Sequence, residues 1–329
     1  MVNKKNIIFI AEAGQGHEGK PSNIRKFIIK SKSIGINFLK FHIIYADELA
    51  NHDYKHYKFF KSLEIPQQKW IALSSYAKKN NVNLAFDVLG DKSLKIAELC
   101  KARLIKIHST DIYNYPLQKK INNSKIKNII LSVAGCKKNE IKKAISNLNK
   151  KKIIIMYGYQ NYPTLSNKLN ISKLKNFGNK YDYDLGYADH SSGGVLETIY
   201  NCSSAIAHDV IFIEKHFSFN KSIKIEDDES AINDIEFKNL IKVINKCKFN
   251  IGLNSINLDF EEKKYRKNVS RSFYTSRFIK KNEKLSFNNI EIKRGRKFNK
   301  IDINFLFKSK AKLNIPKNSL IEKNLIKKI

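Results

Sequence analysis

Asn37-Phe-Leu-Lys-Phe-His42 and Arg103-Leu-Ile-Lys-Ile-His108 decide how this chain is read. Each is a short apolar run carrying a lysine and a histidine two residues apart near its carboxyl end. In an extended strand, residues two apart share a face, so each Lys/His pair points the same way. A lysine within an apolar strand is costly to bury unless a partner or a ligand meets it. Six further runs have a similar build, namely Asn6–Ala11, Asn83–Asp87, Asn128–Ser132, Lys152–Met156, Asp184–Tyr187 and Val210–Glu214. Helical patterns fill gaps at Asn23–Ile34, Gln67–Asn80, Leu94–Cys100, Lys138–Leu148 and Gly194–Ala207. Eight strands alternating with helices predict an α/β fold, the (β/α)₈ or TIM barrel, which takes about 250 residues. A doubly wound open sheet is the competing arrangement. Gly14-Gln-Gly16-His-Glu-Gly19 comes close to a dinucleotide-binding turn but has the wrong final spacing.

Polar residues gather where a barrel builds its active site, at the carboxyl ends of the strands. They are Glu12, Lys40 with His42, Asp87, Lys106 with His108 and Ser109, Ser132, Gln160 with Tyr162, Asp189 with His190, and Glu214 with His216. One such residue fits a structural ion pair; this many fit a polar pocket. Two lysines and a serine suit a phosphate-bearing substrate, through point charge and hydrogen bonding. His190 and His216, on neighbouring strand ends, suit a divalent cation bound through imidazole nitrogen. Asp189 and Glu214 beside them are candidates to fix the imidazole tautomers.

Composition bounds the rest. The chain has 329 residues and a formal net charge of +32, with 42% hydrophobic residues, enough for a core. Its lysines are spread along the whole length among Ile and Asn, a mixture that AT-rich coding also produces. A nucleic-acid footprint would cluster them, so no nucleic-acid partner is expected. The overall positive field favours anionic small substrates. No apolar run approaches the ~20 residues of a membrane span. Glu12 closes the first apolar run too early for a signal peptide, so a cytoplasmic location with no membrane partner is expected. Cys100, Cys136, Cys202 and Cys247 are widely spaced, which predicts reduced, mostly buried thiols.

Ile10-Ala-Glu-Ala-Gly-Gln-Gly-His-Glu-Gly19 resembles the opening motif of the sialic acid synthase family. The likeness continues through Lys40-Phe41, Lys106-Ile-His-Ser-Thr-Asp-Ile112, Tyr162-Pro-Thr164, Gly186-Tyr-Ala-Asp-His190 and Ile213-Glu-Lys-His-Phe217. The tail, Arg271-Ser-Phe-Tyr, Ile279-Lys-Lys-Asn-Glu-Lys-Leu and Ile292-Lys-Arg-Gly295, is similar to that family's small, mostly β antifreeze-like (SAF) domain. The implied organisation is a barrel over 1–255, a linker over 256–267 and the SAF module over 268–329.

The resemblance implies an enzyme that condenses phosphoenolpyruvate with an open-chain N-acyl hexosamine, giving a nine-carbon 2-keto sugar acid and phosphate. It implies Mn²⁺ or Mg²⁺ on His190 and His216, acting as a Lewis acid on the sugar aldehyde. Lys40, Lys106, Ser109 and Gln160 would hold phosphoenolpyruvate. Glu12 would orient or deprotonate the water that attacks C2. His42, Asp111, Tyr162, Asp227 and Arg294 fall on the sugar side. The implied assembly is a homodimer with the SAF module swapped onto the partner's barrel.

Several positions depart from the family pattern. His42 stands where glutamine is common, and Ala188 replaces a serine hydroxyl before Asp-His. Gln160 replaces asparagine or serine, Asp111 shortens a glutamate, and Asp228 stands where histidine is frequent. Arg294 lacks the usual following proline, and the segment between His190 and His216 is longer than usual. These changes leave open a shifted sugar, a different phosphoenolpyruvate-dependent aldol condensation, or a non-catalytic glycan-binding or scaffolding relative. The acceptor sugar stays open among N-acetylmannosamine, its 6-phosphate and diacetamido-dideoxy hexoses.

Overall fold

The computed structural model describes residues 6–329, apart from 182, 193, 222–223, 225, 253–255, 296–297 and 299; of 178–181 only the backbone is described. Eight parallel strands close into a barrel: β1 Ile8–Gly14, β2 Phe38–Ile43, β3 Leu84–Val88, β4 Leu104–Ile107, β5 Asn128–Ser132, β6 Lys152–Tyr157, β7 Asp184–Asp189 and β8 Val210–His216. The first strand pairs with the last through Ile8–Glu12 against Phe212–His216. A helix follows each strand: α1 Pro21–Ser31, α2 Gln67–Lys79, α3 Asp91–Leu99, α4 Tyr115–Asn123, α5 Lys138–Asn147, α6 Leu174–Tyr181, α7 Val195–Ile206 and α8 Asp234–Ile251.

The sequence reading misses α4, α6 and α8. Both α4 and α8 carry start signals in polar residues. Asn114 caps α4 by accepting from the Leu117 N–H, and Asn233 with Glu236 forms a reciprocal capping box on α8. Strands β1, β7 and β8 each run further than the apolar runs alone suggest. Glu12, Asp189 and His216 therefore lie inside strands rather than beyond them.

Alternation along the strands sorts side chains into two layers. Ile10, Phe38, Ala85, Leu104, Ile130, Ile154, Met156, Ala188 and Phe212 pack together as the filling of the barrel. Their neighbours, among them Phe9, Leu39, Phe41, Phe86, Ile105, Leu131, Ile155, Tyr187 and Ile213, join the larger core beneath the helices. On α1, Phe27 sits edge-on to Phe41, Phe217 and Phe219, with ring centroids 4.7–5.8 Å apart.

The outer layer also holds a buried ion pair. Lys215 Nζ lies 2.6 Å from Asp189 Oδ1, directly across the β7–β8 register, and both side chains are fully enclosed. Ser191 Oγ, Asn201 Nδ2 and Tyr187 OH also donate to the Asp189 carboxylate, at 2.5, 3.0 and 3.2 Å. Asp189 therefore faces away from the barrel axis and does not orient an imidazole, contrary to the expectation from sequence.

The chain divides into two compact units, Met1–Gly252 and Leu253–Ile329. The second contains a helix, Phe260–Val269, over much of the segment read as a linker. It also has two antiparallel strand pairs, Ser272–Thr275 with Ile290–Lys293 and Ser309–Ala311 with Ile326–Lys328. Ile279, Leu285, Ile290, Leu306, Ile315 and Ile321 are among the residues of its own small core. Among the described residues the four cysteines are unpaired, and only Cys202 is buried; the other three are half-buried. No helix among the described residues is long and apolar enough to cross a membrane.

Two outcomes follow for stability. Lys215→Met leaves Asp189 enclosed without its counter-ion, and a loss of about 3–5 kcal/mol is expected in denaturant unfolding; a loss under about 1 kcal/mol would show that the pair does not hold β7 to β8. His17, in the β1–α1 turn, is fully buried beside Trp70 and Phe41. Burial pulls its imidazole down to about 4. A histidine lowered in the folded state contributes full stability above its unfolded value near 6.5 and loses it as pH falls toward about 4. Acidification over that window should remove roughly 3 kcal/mol through this residue, and His17→Gln should flatten the dependence in unfolding curves taken between those pH values.

Candidate active site

Five charged side chains from five consecutive strands of the barrel meet inside it. They are Glu12 of β1, Lys40 of β2, Asp87 of β3, Lys106 of β4 and Glu214 of β8. Lys40 Nζ contacts Glu12 Oε2, lies 2.6 Å from Asp87 Oδ1 and 3.6 Å from Glu214 Oε2. Lys106 Nζ reaches Glu214 Oε1 at 2.5 Å. The other Glu12 oxygen accepts the Gly14 N–H at 2.6 Å, where the chain leaves β1 in a left-handed conformation that favours glycine. Alternation directs these residues inward, above the apolar filling of the same strands.

Charge balance sets their ionisation. Burial opposes a charge on Asp87, yet Lys40, Lys106 and His42 outweigh it and hold its carboxyl well below the usual range. Glu214 is lowered in the same way, with Lys106 and Lys40 overcoming burial. Lys106 is raised because Glu214 and Asp87 overcome burial, whereas Lys40, wholly enclosed, is pulled down by burial. Three carboxylates face two ammonium groups, so the floor of the pocket has no surplus positive charge.

At the mouth, His190 follows β7 and His216 ends β8, with ring centroids 5.9 Å apart. The Tyr159 carbonyl oxygen lies 2.6 Å from His190 Nδ1, which leaves Nε2 facing the Tyr162 hydroxyl at 3.3 Å. That carbonyl, rather than Asp189 or Glu214, orients the His190 ring. Burial lowers His190 to about 4 and His216 well below its ordinary value. Two neutral imidazoles with nitrogen lone pairs are suitable donors for a divalent cation such as Mn²⁺. Asp227, at a positive-φ position after β8, brings Oδ2 to 3.9 Å from His216 Nδ1, and burial raises its carboxyl.

The ligand atoms of Glu12, His42 and Asp87 also lie within 4.8 Å of one another, a spacing that a metal ion could bridge. Lys40 already supplies a cation there, in contact with both carboxylates. Among the described residues the His190–His216 pair has no such competitor, and it is the better fit for a metal.

Ser109, Gln160 and Tyr162 form a chain beside the histidines: Gln160 Nε2 donates to Ser109 Oγ at 3.2 Å and Tyr162 OH to Gln160 Oε1 at 3.4 Å. His42 Nε2 lies 3.3 Å from Asp87 Oδ2 and 3.9 Å from Glu12 Oε2. His108 does not share the pocket floor with Lys106; it lies past β4 and hydrogen-bonds Thr110 at 3.0 Å. Asp111 accepts from Asn114 in the turn after β4, and Arg294 is exposed on the C-terminal unit. Ala188 faces Gly158 closely: a Cβ on that glycine would stand 2.4 Å from the Ala188 carbonyl oxygen. The full roles of Asp87 and Glu214 escape the sequence reading. The signal available was their parity, since each lies two residues after an inward apolar position, Ala85 or Phe212.

The NeuB family model matches residues 28–255. An uncharacterised protein of Methanocaldococcus jannaschii is 28% identical over 87% of this chain and 84% of its own length. The N,N'-diacetyllegionaminic acid synthase of Campylobacter jejuni is 26% identical over 88% of this chain and 91% of its own. The crystal structure of an N-acetylneuraminic acid synthetase from Leptospira borgpetersenii superimposes with a TM-score of 0.74 at 22% identity, covering 81% of this chain and 95% of that one. With the matched segment taking in seven of the eight barrel strands and both mouth histidines, the chain belongs to the NeuB family.

Proposed function

We propose that this protein condenses phosphoenolpyruvate with the open-chain form of an N-acyl hexosamine, producing a nine-carbon 2-keto sugar acid and phosphate. The observation that carries this reading is the pair of buried, neutral imidazoles at the mouth, His190 and His216, beside the Lys106–Ser109–Gln160 side of the pocket. The Campylobacter relative, an N,N'-diacetyllegionaminic acid synthase, supports a nonulosonic acid as the class of product.

In this reading Lys106, Ser109 and Gln160 bind the carboxylate and phosphate of phosphoenolpyruvate, with Lys40 contributing charge from beneath. Phosphoenolpyruvate carries several negative charges, and the floor's two ammonium groups are already matched by three carboxylates. A divalent cation held by His190 and His216 would supply the missing positive charge and polarise the sugar aldehyde. Imidazole donors suit that task because they add no negative charge of their own. Tyr162, Asp111 and Asp227 are assigned to the sugar. Tyr162 lies beside both histidine rings, at centroid distances of 4.5 and 5.5 Å, which supports this assignment.

The test is phosphate release from phosphoenolpyruvate with Mn²⁺ or Mg²⁺ across a panel of N-acyl hexosamines, with and without chelator. Release with one sugar, abolished by chelator, is expected; no release with any sugar, together with no phosphoenolpyruvate binding by calorimetry, sinks the proposal. His216→Ala should lower kcat at least about 100-fold, because Lewis-acid stabilisation supplies several kcal/mol. It should also remove Mn²⁺ binding in a calorimetric titration. Retained metal binding in that variant would reject His216 as a ligand.

A further inference from the structure

We propose that His42, positioned by Asp87, is the catalytic base that takes a proton from the water adding to C2 of the condensing substrate. This rests on the condensation reading above and adds a proton carrier to it. The Asp87 carboxylate is buried, and among the described residues its Oδ2 makes no hydrogen bond by strict geometry. His42 Nε2 lies 3.3 Å from that oxygen, across the direct β2–β3 register. An N–H at Nε2 facing this carboxylate leaves Nδ1 as the basic nitrogen, and no hydrogen bond to Nδ1 is found among the described residues. His42 is partly open, with its side chain 17% exposed, whereas Glu12 and Asp87 are closed off.

The other acidic and basic groups of the pocket are already engaged. Glu12 has one oxygen on the Gly14 N–H and the other on Lys40. Glu214 is held by Lys106 and Lys40. His190 is anchored on the Tyr159 carbonyl, and His216 is assigned with it to the metal. The charged and titratable groups around His42 come from several elements: Glu12, Lys40, Asp87, Asp227, His17 and His108. Of these only Asp87 and Glu12 bring a carboxylate oxygen within 4 Å of its ring nitrogen.

The step balances as follows. When C3 of phosphoenolpyruvate has bonded to the aldehyde carbon, C2 is electron-deficient. A lone pair of the water oxygen forms the C2–O bond, one water O–H bond breaks with its electrons staying on oxygen, and the proton passes to His42. The imidazolium returns that proton to the alkoxide derived from the aldehyde. The second water proton leaves as C2=O forms and the C2–O bond to phosphorus's oxygen breaks, and it departs with phosphate. Asp87 stabilises the imidazolium and fixes the tautomer, so it is a positioning residue.

The experiment measures phosphate release and substrate binding for His42→Ala, His42→Gln and Asp87→Asn, each with and without added imidazole. General-base loss predicts a fall in kcat of about 100-fold or more for both His42 variants, with KM values moving less than about threefold. Free imidazole should restore at least about tenfold of the rate in His42→Ala, where the side chain's space is vacated, and little in His42→Gln, where it is filled. Asp87→Asn should lower kcat too, through both of its contacts, His42 and Lys40, so imidazole rescue of His42→Ala is the readout that separates loss of the base from disturbance of the ion lattice. If wild type is active and His42→Gln keeps kcat within about threefold, or His42→Ala loses phosphoenolpyruvate binding in step with rate and shows no rescue, the base assignment is overturned alone. A wild-type protein that releases no phosphate with any sugar overturns the condensation reading and this inference together.

Discussion

The arrangement of Lys40 among Glu12, Asp87 and Glu214 is the constraint on which the pocket depends. An ammonium group with no exposed surface is held in a medium where its desolvation would cost several kcal/mol, and the surrounding carboxylates offset that cost. Lys106 extends the lattice through Glu214. The charged residues come from the contiguous arc β8–β1–β2–β3–β4, whereas β5, β6 and β7 contribute Ile130, Ile154, Met156 and Ala188 to the interior. At the level of these charged residues the barrel is therefore polarised across its axis, one side ionic and the other apolar, above an interior filled by apolar side chains of all eight strands. Such a lattice is rigid, because moving any member leaves another charge buried without a partner.

Strands β7 and β8 carry a second charge system on their other face. Lys215 and Asp189 pair outward under the helices while Glu214, the neighbour of Lys215, pairs inward with Lys106. His190 and His216 immediately follow Asp189 and Lys215 in the chain. The outer pair thus fixes the ends of the two strands from behind, while the inner lattice faces the pocket. Neutral imidazoles at those ends add no negative charge to a floor already rich in carboxylate. That combination favours a divalent cation at the mouth over one at the floor.

Much of the barrel is legible in the residues. All eight apolar runs named from the sequence are strands, and the five helical patterns coincide with α1, α2, α3, α5 and α7 to within a few residues. Helices α4, α6 and α8 were less legible, because their polar faces and Asn or Lys content dilute the apolar period; α8 alone holds six charged residues in Asp234–Ile251. Strand ends were read short for a physical reason. A charged residue normally marks the exit from a buried strand, but Glu12, Asp189, Lys215 and His216 remain inside because each finds a partner or a pocket there.

What the sequence determined by itself was periodicity and chemical type: eight alternating strands and helices, and the gathering of lysine, histidine and acid at one set of strand ends. The tertiary structure decided which charge meets which. Parity within a strand separates inward Glu214 from outward Lys215, but only barrel closure brings Glu214 of β8 to Lys106 of β4 across the interior. Asp189 could be taken as a support for the histidines until its register with Lys215 turned it to the other face. Partnership between ions depends on distances of a few ångströms between residues as many as 174 positions apart, and no local pattern encodes them.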